Sequence, residues 1–266
     1  MYRDPRCRPP DETTKPEPWV CPECGHRREA TWNMWEHKWT LWDGPCDRCD
    51  ALQLGREWLI EQQEASLERY GLNKGVRAHM TLDNYIPDPR YPSQALALQA
   101  VRKLVTRWRN GDWAAGIMLL GRSVGVGKTH LAISAVREGL LLYRPRKLGC
   151  IVSIWSVPTL LDDIKDTYNN GGPTHITEAV KTSGILLLDD LGAEHYSSES
   201  WYRDILYDIF NARWEDQLAT IVTTNLEPAQ LRTRVGPRVL SRLLSLTGKP
   251  VLLTGADYRL NDFRLG

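Results

Sequence analysis

The stretch GRSVGVGKTH, residues 121–130, has the residue types and spacing of a phosphate cradle. Phosphate oxygens need several backbone N–H groups converging on one point. Glycines let a chain curl that tightly, and a helix that follows adds the positive end of its dipole. Lys128 is placed to reach the β- and γ-phosphates of a nucleotide, and the Thr129 hydroxyl to take one position on Mg2+. The expected nucleotide-binding set is Gly121, Val124, Gly125, Val126, Gly127, Lys128, Thr129 and His130. The loop departs from G-x-x-x-x-G-K-[ST] at one point: Arg122 stands where the first glycine belongs, and Gly121 comes one residue early. Either Arg122 holds a negative φ, or Gly121 makes the turn sooner.

Two further stretches fit the same chemistry. ILLLDD, residues 185–190, reads as a buried strand ending in two carboxylates. Asp189 can hold Mg2+ through water, and Asp190 can orient or deprotonate an attacking water. TIVTTN places Asn225 at the tip of a neighbouring strand, where its amide can hold that water or the γ-phosphate.

Four cysteines make a separate group. Cys21-x-x-Cys24 and Cys46-x-x-Cys49 sit in the knuckle-like turns CPECG and GPCDRC, with 21 residues between the pairs. Four thiolates so spaced favour tetrahedral Zn2+, and metal would supply folding energy that so small a segment lacks. His26 and His37 are alternative ligands, and Cys7 and Cys150 have no partner by spacing. Between the pairs, Trp32, Trp35, Trp39 and Trp42 suit three roles: filling the small core, stacking single-stranded bases, or plugging a partner's groove. Residues 19–50 carry four Lys or Arg against six Asp or Glu, which puts protein docking ahead of nucleic acid.

The elements that must position these groups follow from apolar patterning. Residues 1–18, rich in proline and charge, are expected to form a disordered tail, and 19–50 the four-cysteine zinc module. Residues 51–77 read as a helix ended by Gly71 and then a linker, and 78–266 as the main domain. Ser93 is expected to open a helix that Gly111 closes. The runs GIMLLG, CIVSIWSV, ILLLDD and ATIVTTN read as four strands, apolar throughout and separated by helices. That is the signature of an α/β fold with a parallel sheet covered on both faces. The net charge of +1 argues against a protein that coats nucleic acid by bulk charge. No apolar run reaches the ~18 residues of a membrane span, and the N-terminus has no apolar core. A soluble cytoplasmic protein with no membrane partner is expected.

Taken together, GVGKTHLA, ILLLDDLGAE, TTN and RVLSRLL resemble the AAA+ ATPases of the DnaC/DnaI helicase-loader and IstB transposition-helper group, over about residues 78–260. LDDLGAE followed by SESWYRDILYDIFNAR makes the resemblance specific to that group. It implies ATP and Mg2+ as cofactors and a three-layer AAA+ P-loop NTPase core with little or no C-terminal helical lid. It also implies that Asn225 senses the γ-phosphate. Arg242 matches the residue these ATPases send into a neighbour's active site, with Arg238 close by, so self-association with ATP at subunit interfaces follows. The catalytic set is then Lys128, Asp189, Asp190, Asn225 and Arg242. Arg259 lies where the family often has an arginine. Asp190 stands where many AAA+ proteins carry Glu, which implies slow, switch-like hydrolysis, with Glu194 as a substitute base.

DnaI-type loaders are similar in carrying an N-terminal zinc module that contacts the helicase. The resemblance therefore implies an ATP-dependent loader of a bacterial or prophage replicative DNA helicase, also binding single-stranded DNA. Two alternatives stay open: an IstB-like transposition helper acting on duplex DNA, and a nucleotide-gated zinc adaptor without significant hydrolysis. Basic residues gather at Arg232, Arg234, Arg238, Arg242 and Lys249, and again at Arg102, Lys103, Arg107 and Arg109. Either cluster suits DNA inside an assembly, the second being more simply a solvated helix face.

Overall fold

The computed structural model describes residues 15–20, 27–28, 30–33, 38–40, 67–142, 152–169, 175–193 and 199–258. The chain divides into two compact units, Met1–Glu64 and Ala65–Gly266. In the first, β1 (Trp19–Val20) pairs antiparallel with β2 (Arg27–Arg28). Likewise β3 (Thr31–Asn33) pairs with β4 (Lys38–Thr40), setting Trp32 opposite Trp39. Cys21, Cys24, Cys46 and Cys49 lie outside the described residues, and so do Cys7, Cys150, Glu194 and Arg259. Among the described residues no cluster of three His, Cys, Asp or Glu is placed to hold a metal.

The second unit begins earlier than the expected position 78. Leu72 is fully buried in its core, with Leu67 and Tyr70 packed against the same cluster. The expected linker thus holds a short helix, α1 (Gly75–Ala78), and belongs to the domain. Next comes α2 (Pro92–Arg109), whose Ala97, Val101, Leu104, Val105 and Trp108 form the apolar stripe of one helix face. Ser93 does not cap it. Tyr91 is the N-cap, Pro92 occupies the first turn, and the Ser93 hydroxyl instead pairs with Thr254 Oγ1 at 2.8 Å. Proline suits that first turn because its missing N–H would have no partner there.

The remaining elements alternate. They are β5 (Ile117–Leu120), α3 (Lys128–Leu142), β6 (Val152–Ser156), α4 (Val157–Asn169), α5 (His175–Thr182), β7 (Ile185–Leu191) and α6 (Glu199–Glu215). Then follow β8 (Ala219–Thr224), α7 (Pro228–Val235), α8 (Pro237–Thr247) and β9 (Val251–Leu252). The sheet runs β6-β7-β8-β5-β9, and every pairing is parallel. The four strands read from sequence are present. The fifth, β9, is a two-residue edge with too little apolar sequence to announce itself.

Side-chain alternation divides the core in two. Ile117, Leu119, Ile185, Leu187, Ala219 and Ile221 pack on one face with α2 and α3. Met118, Leu186, Leu188 and Val222 pack on the other with α4, α6 and α8. Successive strand residues point to opposite faces, so apolar runs need both faces covered. The result is a three-layer α/β/α sandwich. No helix among the described residues is long and apolar enough to cross a membrane.

Candidate nucleotide site

The loop between β5 and α3 takes left-handed backbone at Gly125 (φ 69°) and Gly127 (φ 96°). At both, a side chain is also excluded by space: a Cβ on Gly125 would collide with the Asp257 carboxylate, and one on Gly127 would lie 2.6 Å from Tyr85 Cε2. Arg122 needs no such freedom. Among described residues other than glycine, only Asp190 and Gln217 have positive φ. The turn therefore does not require glycine at 122, and its negative φ answers the departure from the usual spacing. Gly121 is small for another reason, since its Cβ would meet the Leu253 carbonyl at 2.7 Å.

The Arg122 side chain points outward, well exposed, and pairs with the partly buried Glu227. Exposed pairs contribute about 0–1 kcal/mol. Arg122→Ala is therefore expected to change ATP affinity by less than about threefold and to leave the melting temperature nearly unmoved. Gly121→Ala, by pressing on the backbone of 253, should lower it by several degrees, roughly the cost of overpacking. Calorimetry and nucleotide titration of the two variants check this contrast.

Lys128 is buried, and its Nζ donates to the carbonyls of Gly121 at 3.1 Å and Ser123 at 2.9 Å. The ammonium is thus held inside the loop's curl. Thr129 Oγ1 lies 3.1 Å from both carboxylate oxygens of Asp189. Thr223 Oγ1 also donates to Asp189. Burial pushes the Asp189 carboxyl above its ordinary range; the Thr223 hydroxyl pulls it back, neighbouring Asp190 pushes it up again, and Thr129 and Lys128 lower it. A buried carboxylate beside a threonine hydroxyl is a hard oxygen donor set, and these two residues fit Mg2+. The charge of that ion would offset the cost of burying the carboxylate.

A bulge separates the two acidic roles. Leu188 pairs with Val222 and Leu191 with Thr224, so Asp189 and Asp190 together face one residue of β8, Thr223. One extra residue kinks a strand and re-aims its side chains. Asp190 takes the left-handed conformation (φ 59°), and its N–H donates to Thr223 Oγ1 at 2.9 Å. Its Oδ1 accepts from Asn225 Nδ2 at 3.1 Å. The Oδ1 of Asn225 is buried with no hydrogen-bond partner. Asn225 therefore carries an unsatisfied buried acceptor, with its Nδ2 bonded to the Asp190 carboxylate.

The loop opens into a cleft of about 730 Å3, a volume that suits a small ligand. Gly125, Gly127, Lys128, Thr129, Asp190 and Asn225 line its polar end. Val76, Met80, Tyr85, Ile86, His130 and Tyr258 line the other, a mostly apolar wall suited to a flat ring. Tyr85 backs the loop, with its ring edge-on to His130 at 5.3 Å. Burial, with a smaller contribution from neighbouring Tyr258, pushes its phenol up to about 12, so it stays neutral. The Tyr258 N–H donates to the Gly125 carbonyl at 3.1 Å and ties the segment after β9 to the loop.

Of the expected residues, the structure brings Gly125, Gly127, Lys128, Thr129, His130, Asp189, Asp190 and Asn225 together, with Val124 at the rim. Val126 is buried behind the loop, and Gly121 forms its base. Arg242 does not line the cleft. It sits on α8 with its guanidinium over the Trp214 ring at 4.2 Å, and Arg238 lies over Tyr207 at 4.8 Å. Thr223, Tyr85 and Tyr258 also belong to the site. Thr223 lies within TTN, two residues before Asn225, whereas Tyr85, 36 residues before Gly121, has no signal in the sequence.

The model of the IstB-like ATP binding protein family matches residues 61–257. A curated relative, the replicative helicase loader DnaI of Bacillus subtilis (strain 168), is 27% identical over 181 residues. That match covers 63% of this chain and 55% of the relative, so the chain spans little more than half the relative's length. A crystal structure of the DnaC helicase loader is 30% identical, with a TM-score of 0.56, and covers 65% of this chain and 96% of that one. A crystal structure of DnaI, 24% identical with a TM-score of 0.54, covers 69% and 93% and supports the fold alone.

Proposed function

This chain belongs to the IstB-like ATP binding protein family, and from that premise we propose that it is an ATP-dependent loader of a replicative DNA helicase. The observation that carries the reading is the likeness to the DnaC helicase loader at 30% identity, spanning 96% of that chain. The cleft geometry agrees with it. The loop N–H groups, Lys128 and the start of α3 bind the phosphates, and Thr129 and Asp189 hold Mg2+. Asp190 takes the proton of the attacking water, and Asn225 fixes that water and the γ-phosphate. Arg242 is supplied by a second copy to stabilise charge on the transferring phosphoryl group, which is why it stands away from its own cleft. ATP binding holds the loading-competent assembly on single-stranded DNA, and slow hydrolysis releases it. The first unit, Met1–Glu64, docks on the helicase with Zn2+ held by Cys21, Cys24, Cys46 and Cys49. Thiolate spacing supports that metal assignment.

Native mass spectrometry of the full chain mixed with its host's replicative helicase, with and without ATP, tests the reading. A complex is expected, and it should be absent when residues 65–266 are used alone. A complex that survives the truncation would remove the docking role from the first unit. If folded, ATP-bound protein gives no complex at all, the loader reading fails. The family's IstB-like description then favours a helper of a transposase, marked by ATPase stimulation with duplex rather than single-stranded DNA.

A further inference from the structure

One wall of the cleft does not come from the sheet or the loop. Val76, Met80, Tyr85 and Ile86 belong to the segment that precedes α2. Val76 is 75% and Ile86 79% exposed, while Leu72, Leu82 and Tyr85 of the same segment are buried in the core. Its backbone is also held from α3. The Arg137 Nη2 donates to the Leu72 carbonyl, to the Arg77 carbonyl at 3.2 Å and to the Ala78 carbonyl at 3.3 Å. The last two lie at the C-terminal end of α1, where the Arg77 carbonyl also accepts from the Met80 N–H at 3.1 Å. His130 Nε2 lies 2.9 Å from the Thr81 carbonyl. His130 and Arg137 are seven residues apart, two turns along one face of α3. The helix that begins with Lys128 at the phosphate loop thus also carries the side chains that grip the opposite wall.

We propose that Arg137 is a positioning residue for nucleotide binding: it sets the apolar wall of residues 72–86 against the phosphate loop without touching the nucleotide. Arg137 does not line the cleft, so its effect passes through the backbone it holds. The inference rests on reading the cleft as a nucleotide site. It separates two halves of the ligand. The phosphates need only the loop, Lys128 and the acidic strand, whereas the base needs the wall. Loss of the clamp should therefore weaken a whole nucleotide and spare a bare polyphosphate.

The test uses the full chain and its Arg137→Gln variant, with Mg2+ and either ATP or inorganic tripolyphosphate, by calorimetric titration. Arg137→Gln is expected to weaken ATP about tenfold and tripolyphosphate by less than about twofold. Amide exchange over residues 72–86 should be slowed by ATP in the wild-type chain and faster in the free variant. Arg137→Lys keeps a charge but not the planar fork, and should recover part of the ATP affinity. Equal loss of both ligands would mean general damage to α3 and would overturn the proposal. So would unchanged ATP binding in Arg137→Gln. A wild-type chain that binds neither ligand would sink the nucleotide reading itself, a result distinct from either.

Discussion

Asp190→Asn is expected to bind ATP with the wild-type affinity and to lose turnover by at least about 100-fold, the scale of a missing general base. The substitution suits the question because it leaves the local structure in place. Asp190 holds a left-handed backbone conformation (φ 59°), and asparagine tolerates that region as well as aspartate does. The new amide oxygen can still accept from Asn225 Nδ2, as the carboxylate does at 3.1 Å. The backbone N–H still reaches Thr223 Oγ1. What is lost is the negative charge that takes the proton from water. Alanine would be a poorer probe, since it would strain the bulge as well as remove the base. The assay is single-turnover hydrolysis alongside equilibrium binding. Turnover retained at the wild-type rate would displace Asp190 as the base. A wild-type chain with no turnover under assembly conditions would favour the nucleotide-gated adaptor, for which Asp190 has no chemical role.

The parts of this site that are legible in the sequence are those whose chemistry is local. A run such as ILLL is apolar at every position because both faces of its strand are covered, and that alone gives a buried parallel strand. Gly125, Gly127 and Lys128 adjoin in sequence because one turn must converge on one ligand. The bulge at Asp189 and Asp190 is not legible, because pairing two residues against one is decided by β8 and not by β7 itself. Arg122 looks like a defect only while the first glycine of the motif is assigned to backbone freedom. The structure places the constraint on Gly121 and makes it one of space, set by the Leu253 carbonyl over 130 residues away. The apolar wall is hidden for the same reason. Tyr85 and Tyr258 reach the loop from opposite ends of the unit, and no periodicity connects them. Ser93 shows the converse, a residue with cap chemistry whose hydroxyl is drawn off by Thr254.

Arg213→Met is expected to destabilise the second unit by about 3–5 kcal/mol, the cost of removing one side of a buried, hydrogen-bonded charge. Arg213 is fully buried near the end of α6. Its Nη1 donates to the carbonyls of Val180 at 2.9 Å and Ser183 at 2.8 Å, Nη2 to Ala219 at 2.5 Å, and Nε to Thr220 Oγ1 at 3.0 Å. Three of these acceptors are backbone carbonyls, so a substitution at 213 cannot remove them along with the guanidinium. Methionine fills much of the volume but removes the guanidinium donors from these buried carbonyls, each loss costing about 1–3 kcal/mol. Replacing both partners with apolar groups can be nearly neutral, but that escape does not exist here. Arg213→Lys should also destabilise, because one ammonium cannot span acceptors spread around the edge of the planar guanidinium. For a domain of this size the loss corresponds to roughly 10 °C in melting temperature. The acceptors lie at the end of α5 and the start of β8, next to the entry into β7, whereas Asp189 and Asn225 lie at the far ends of those strands. Arg213 therefore fixes the two strands from beneath without reaching the site. ATP affinity measured well below the transition should stay within about twofold of wild type, while the urea midpoint falls. A midpoint shift worth less than about 1 kcal/mol would show that these carbonyls find other donors.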